Sequence, residues 1–539
     1  MSTDKRGILI LGGGTMQLPA IAAAREMGLA VYVADADTET PGRELADRFF
    51  HIDLKDKEGL AEAAASLLPE GLAGVFTAGT DFSTSVAYVA KRCSLPGVSY
   101  ETACDARDKG RMRERFREKG IPSPEFMYVE KKDLPRAISG EIVTREGKAL
   151  RYPLVVKPAD NMGARGVRQV RTGEELKEAV ETALAHTCSG RVVLEEYLPG
   201  PELSIDALVY GGEVKICGIA DRIIRFLPFF VEMGHTMPTD LDETMISAAA
   251  DCFVRGVRAL GIDNGAAKGD IKIVDGTPFI GEIAARLSGG YMSGWTYPYA
   301  SGAEVTAGAI RIALGDSPGR MEPCRDWTSA ERAFISIPGQ VASIEGVRAA
   351  RQVPYVKDLF LRTGAGSTVV FPRNNVEKCG NVITQGPDRD AAAGAAEDAV
   401  RRIFLRLEPD TNETFRFLRA EDWAWAPPAY ELTDERNRRA VGSMPAYAGV
   451  REGEGLFFTI PAPEAETCRD WHGMELSSAL SVVREKTAGI GNLPVRLGKL
   501  FWNAFLRGGV QGAVFILETC KRYIETGIYV DTLVERVEK

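Results

Sequence analysis

The 539-residue chain sets 66 Lys and Arg against 75 Asp and Glu, a formal charge of −9, with 45% hydrophobic and 26% charged residues. At about 150 residues per domain this is enough chain for three or four domains. The composition excludes a disordered chain, a collagen and a coiled coil, and the acidic balance argues against a general binder of nucleic acid or of an acidic membrane surface.

No uninterrupted run reaches the roughly 18 to 20 apolar residues of a membrane helix. The nine cysteines are scattered without a C-x-x-C, and there are four histidines. Neither a disulfide framework nor a zinc site follows from that pattern, so a cytoplasmic protein with reduced thiols is expected.

In chain order, Gly7 to Leu11 predicts a strand, Gly12 to Gly14 a turn, Leu18 to Met27 a helix, and Leu29 to Ala34 a second strand closed by Asp35. Strands at 48–52 and 74–77 around an Ala-rich helix at 58–68 complete a parallel, doubly wound sheet. A charged helix over 105–120 ends at Gly120, Pro122 and Pro124. Next come strands at 154–157 and 192–197 around a glycine loop and a helix at 174–185. Strands at 203–209, 213–219, 269–274 and 278–284 suggest an antiparallel sheet, with helices through 244–260 and 303–314. An Ala-rich helix is expected at 390–406. Trp423, Trp425, Pro427 and Pro428 read as a linker, and the last sixty residues as helices.

The run Gly12-Gly13-Gly14-Thr15-Met16-Gln17 lacks the third glycine of G-x-G-x-x-G, so a tight turn is expected rather than a dinucleotide site. The hairpin at 268–288 carries more. With Asp275-Gly276-Thr277 as a three-residue connection, Val274 faces Pro278 and Asp270 faces Glu282. Two opposed carboxylates repel, and Mg²⁺ together with phosphate oxygens relieves that repulsion; Arg286 would lie near the same phosphates. Lys157 ends a strand before a loop containing Gly163 and Gly166, a pattern able to fold amides over phosphates. It is not a P-loop, since G-x-x-x-x-G-K-[ST] is absent. In Glu195-Glu196-Tyr197-Leu198-Pro199-Gly200-Pro201-Glu202, a strand edge could offer backbone groups to a purine, and a carboxylate could hold ribose hydroxyls.

Together these elements resemble the ATP-grasp superfamily, in its carboxylate-amine ligase and biotin-carboxylase-like branch. The resemblance implies a Rossmann-like domain at 1–104 and an ATP-grasp domain at 105–320 with a lid at about 152–195. Residues 321–409 would be the C-terminal part of that module and 410–539 a mostly helical extension that resembles nothing named. The implied fold class is α/β and α+β multidomain.

By resemblance ATP is held by Lys109, Lys157, Gly163, Gly166, Glu195, Glu196, Leu198 and Glu202. Asp270 and Glu282 would hold Mg²⁺, with Mn²⁺ as a substitute, and Arg286 and Lys157 would be catalytic. Ala284 stands where the family's E-x-N-x-R-x-S-G-G pattern has asparagine, so a second metal should be weakened. Thr80, Asp81, His235, Ser288 and Gly289 are candidate substrate contacts, and Lys268 and Lys272 share the Asp270 face.

The implied activity is a ligase that joins a small carboxylate to an amine through an acyl phosphate, with a homodimer allowed. The alternatives are an ATP-binding module without turnover, a bicarbonate-activating enzyme, or a nicotinamide-dependent oxidoreductase resting on the glycine turn alone.

Overall fold

The computed structural model describes residues 5–140, 142–451 and 453–538. By compactness the chain forms two units. The first comprises Met1–Ile224, Gly234–Glu331 and Ile383–Ala393, and the second Arg225–Met233, Arg332–Val382 and Gly394–Lys539. The fold is mixed α/β with a helical C-terminus.

The first unit opens with β1 (Gly7–Leu11), α1 (Leu18–Glu26), β2 (Ala30–Asp35), β3 (Arg48–His51), α2 (Lys57–Leu67) and β4 (Leu72–Phe76). The strands pair in parallel in the order β3-β2-β1-β4, and β1 is buried throughout, as a sheet covered on both faces requires. The Gly13 amide donates to Asp35 at 2.7 Å. That carboxylate is engaged in bracing the glycine turn.

After α3 (Ser83–Cys93), the expected single helix at 105–120 is instead two, α4 (Tyr100–Arg107) and α5 (Lys109–Glu118). Asp108 leaves the helical region and its carboxylate accepts from the Gly110 and Arg111 amides. An N-cap carboxylate satisfies free helix amides, so the break begins α5 at Lys109.

β5 (Phe126–Glu130), α6 (Leu134–Ile138), β6 (Leu154–Pro158), β7 (Arg168–Val170), α7 (Gly173–Ala185) and β8 (Arg191–Glu196) follow. These strands form a small antiparallel sheet ordered β5-β8-β6-β7. The strand expected to offer a free edge, β8, is therefore interior to its sheet.

A larger antiparallel sheet contains β9 (Glu202–Tyr210), β10 (Glu213–Arg225), β11 (Val231–Met237), β12 (Gly265–Val274) and β13 (Thr277–Ala284), with α8 (Glu243–Ala259) between β11 and β12. Part of its order is β13-β12-β9-β10-β11. Alternation, broken once on β13, decides its faces. Leu203, Ile205, Ala207, Ile271, Ile273, Ile280 and Ile283 pack with Ala249, Cys252, Phe253 and Val257 of α8 in one buried cluster. Glu202, Ser204, Asp206, Lys268, Asp270, Lys272, Glu282 and Ala284 take the other face through the pairings Lys272 with Glu202, Asp270 with Ser204, Lys268 with Asp206, Asp270 with Glu282 and Lys268 with Ala284.

The hairpin corrects one expectation. Its loop has two residues, because Val274 pairs with Thr277 and Ile273 with Pro278. Asp275 and Gly276 both have positive φ, 46° and 77°, as a type I′ turn requires. The register then shifts between Asp270 and Ile271, which pairs with Ile280, leaving Gly281 as an extra residue. This bulge restores Asp270 to a position opposite Glu282. The unit also holds Tyr297–Ser301 and Val305–Ala313 as helices.

In the second unit, strands Thr368–Val369, Gly339–Glu345 and Phe404–Leu407 form a three-stranded sheet. The Ala-rich helix ends at Arg402, short of the expected 406. Pairing of Phe404 with Glu345 and Leu405 with Ile344 claims the following residues as strand, a tertiary contact outweighing local helix propensity.

The segment read as a linker is packed. Trp423 and Trp425 join Phe229, Phe371, Phe417 and Trp471 in ring contacts of 4.6 to 6.3 Å. Helices Leu476–Thr487, Lys499–Glu525 and Val530–Glu538 close the chain. Lys499–Glu525 is broken by a kink at Gly509, at φ 61°, and 78% of its most apolar window is buried within the protein.

Candidate active site

The charged face of the β9–β12–β13 sheet is built on paired side chains. Glu282 lies 3.6 Å from the Lys109 ammonium. Asp270 is ion-paired to Lys268 and, at 3.1 Å, to Arg222. Glu202 contacts Arg222 and lies 3.0 Å from Lys272. Burial pushes the Glu282 carboxyl upward, but Lys109, Lys268 and Lys157 outweigh it and hold the group below its ordinary range.

Lys109, 6% exposed, donates to the Asn161 carbonyl at 2.7 Å. The first helical residue of α5 thereby meets the loop between β6 and β7, where Gly163 and Gly166 adopt φ of 69° and 72°. Lys157, at the end of β6, pairs with Glu195 of β8 at 2.5 Å. The other Glu195 oxygen accepts from Arg113 Nε at 2.9 Å, and Arg113 also donates to the bulge carbonyl of Gly281. Burial opposes ionisation of Glu195, yet Arg113 and Lys157 bring its pKa to about 2.

The first-domain loop reaches the same cluster. Gly79, at φ 63°, approaches Gly289 so closely that a Cβ there would lie 3.2 Å from the Gly289 Cα. Leu287 bridges to Ala78 in parallel. Thr80 bonds Thr77 at 2.8 Å, and Asp81 lies 3.6 Å from Arg107. Burial pushes the Asp81 carboxyl upward against the fields of Arg286, Lys109 and Arg107. The Arg286 guanidinium donates to Leu287 O at 2.9 Å. Ser288 donates through its hydroxyl and amide to Asp206, at 2.5 and 3.3 Å, and burial raises that carboxyl to about 6.

The structure thus gathers Lys109, Lys157, Asp270, Glu282, Arg286, Asp81, Ser288 and Gly289. Glu195 is directed inward, where it fixes Lys157. Glu196 faces Arg151 at 3.1 Å, and Leu198 follows β8, beyond its ladder. His235 is fully buried on β11, two strands from β9, with Nδ1 3.0 Å from Glu331.

Arg113, Arg222 and Asp206 were not singled out in the sequence. A signal existed for two of them. Arg113 is four residues after Lys109 on one helix, hence on the same face, and Asp206 keeps the strand parity of Glu202.

Asp270 and Glu282 suit Mg²⁺ or Mn²⁺. They are hard oxygen donors, directly opposed, on a face crowded with cations able to meet phosphate, and two carboxylates plus phosphate oxygens is a common Mg²⁺ arrangement. Among the described residues no group of three or more His, Cys, Asp or Glu is placed to hold a metal.

The chain is similar to known proteins over the same region. Residues 150–294 match the family model of the ATP-grasp domain, and residues 333–408 match that of L-amino acid ligase C-terminal domain 2. The chain carries an ATP-grasp domain.

It is 25% identical to the uncharacterized protein y4rH of Sinorhizobium fredii over 63% of this chain and 69% of that protein. With mouse carnosine synthase 1 the identity is 24%, over 58% of this chain and 40% of the relative. Among solved structures, the L-amino acid ligase from Bacillus licheniformis superposes with a TM-score of 0.66 at 24% identity, covering 76% of this chain and all of that one. Carboxyaminoimidazole ribonucleotide synthase from Aspergillus clavatus, solved with ATP, gives 0.60 at 18%, covering 75% and 100%. At these identities the structural likeness establishes the fold.

Proposed function

We propose that the protein is an ATP-dependent ligase that activates a small carboxylate as an acyl phosphate and transfers it to an amine, as an amino-acid or peptide-like ligase would. The observation that carries this reading is the direct pairing of Asp270 with Glu282 on a charged sheet face, with Lys109 3.6 Å from Glu282. The match of residues 333–408 to a domain named for L-amino acid ligases favours an amine acceptor.

Phosphoryl transfer asks for positioning and charge neutralisation more than covalent help. Lys109 and Lys157 neutralise phosphate oxygens. The loop carrying Gly163 and Gly166 covers them and excludes water from the anhydride. Leu198, with the backbone after Glu196, borders the purine, and Glu202 the ribose. Mg²⁺ held by Asp270 and Glu282 would add positive charge at the phosphate oxygens, with Mn²⁺ able to serve instead.

A substrate carboxylate oxygen attacks the γ-phosphorus and ADP leaves; an amine then attacks the acyl carbon and phosphate leaves. Arg286 stabilises the charge developing on the transferred group and on the tetrahedral oxyanion. Thr80, Asp81, Ser288 and Gly289 border the acid and its acceptor.

The test is a phosphate-release screen of acid and amine pairs with MgATP, with Glu282→Ala as the blank. Release that requires both an acid and an amine is expected. Bicarbonate-dependent hydrolysis without an amine would replace the proposal with a carboxylase-like activity. Nucleotide binding with no ADP release for any pair would reduce the protein to a binding module.

A further inference from the structure

We propose that Lys268 is a resident cation of the phosphate-binding face, supplying among Asp206, Asp270 and Glu282 the charge that a second divalent ion would otherwise bring, so that the protein holds its nucleotide through one metal ion. This rests on the metal site proposed above and adds its stoichiometry.

Lys268 lies on β12 directly opposite Asp206 on β9 and Ala284 on β13. Residues opposite one another in a sheet share a face, so the lysine emerges among Asp206, Asp270 and Glu282. Its side chain is only 14% exposed and its ammonium meets Asp270 Oδ1. Arg222 occupies the other Asp270 oxygen at 3.1 Å. Asp270 therefore already faces two fixed cations, and the positive charge left for a metal to supply at this face is correspondingly smaller.

Directly opposite Lys268, β13 offers no oxygen donor for a second ion. Ala284 is 7% exposed and carries only a methyl group. An ammonium has three donors and no acceptor, so it cannot ligate a metal and repels one in a partly desolvated site. Its field reaches Glu282 and Asp206 as well, opposing the effect of burial on each carboxyl.

The experiment counts Mn²⁺ bound to the full chain in the presence of ADP, by the loss of the free-ion paramagnetic resonance signal. Wild type is expected to bind about one Mn²⁺ per chain, Lys268→Arg about one, and Lys268→Met about two, since the cation that faces Asp206, Asp270 and Glu282 together would then be gone. A wild-type count of two overturns the proposal and leaves the ligase reading standing, as does a Lys268→Met chain that melts cooperatively and still binds one. A wild-type count of zero overturns the metal site itself and this inference with it. The wild-type count is informative even if the methionine variant fails to fold.

Discussion

Two arginines, one in each unit, are matched in opposite ways. Arg113 is buried with its Nε 2.9 Å from the Glu195 carboxylate, whose pKa is brought to about 2. Arg507 faces the carbonyls of Phe417, Ala426 and Trp423 at 3.1, 2.6 and 2.7 Å and stacks 4.4 Å above the Phe417 ring. Burial lowers its pKa to about 10. Formal charge answers formal charge beside the site, where Lys157 must be held in place. Neutral dipoles answer charge in the C-terminal extension, where the arginine ties down a stretch of chain.

The contrast breaks first if function and stability fail to separate. Removing a carboxylate that holds the metal should cost turnover without unfolding the protein, because Glu282 serves no apolar core. Glu282→Ala is expected to lower phosphate release by at least about 10³-fold, and Arg286→Ala by about 10²- to 10³-fold, the loss seen when one charge-stabilising group is removed. Thermal unfolding of both variants should stay within a few degrees of wild type.

Glu195→Gln should damage both properties. It leaves Arg113 buried without its counter-charge, a change that costs about 3 to 5 kcal/mol, and it frees Lys157, so KM for ATP should rise in the same variant. The folded-state pKa of Glu195 lies below its ordinary 4.5. The stability it contributes is therefore complete above pH 4.5 and fades as pH falls toward about 2. Urea unfolding of wild type and Glu195→Gln across that window should converge at the acid end, and parallel curves would show that the pair does not stabilise the fold.

Arg507→Ala comes next, at about 2 to 3 kcal/mol for charge-assisted bonds lost to buried carbonyls. Its KM for ATP should be unchanged. A change in KM comparable with that of Glu195→Gln would erase the distinction between the two arginines.

The same contrast governs what could be read from the sequence. The first unit was legible because its signals are local: β1 and β2 are short apolar runs bounded by glycines and Asp35, and the β12–β13 hairpin follows from alternation and turn residues. The ion pairs were not, because Arg113 and Glu195 are separated by 82 positions. The second unit hides its order in long-range contacts. Trp423 and Trp425 stand beside Pro427 and Pro428 and look like linker, yet the Trp425 partners Phe229 and Phe371 lie far away along the chain. A strand at 404–407 follows an Ala-rich helix because Gly339–Glu345 pairs with it.

The hairpin gives the smallest effect. Expectation and structure agree that Asp270 faces Glu282, but the odd residue is at Gly281 and not in the turn. Without the bulge, a two-residue loop would pair Glu282 with Gly269 and send the carboxylate toward α8, since a one-residue slip reverses every side chain. Register is therefore held by the apolar face under α8 and by Arg113 on the Gly281 carbonyl; the loop only has to turn. Gly276→Ala, at φ 77°, should cost about 1 kcal/mol in urea unfolding while phosphate release stays at the wild-type level. If activity fell with stability, the turn itself would be setting which side of the sheet receives Glu282.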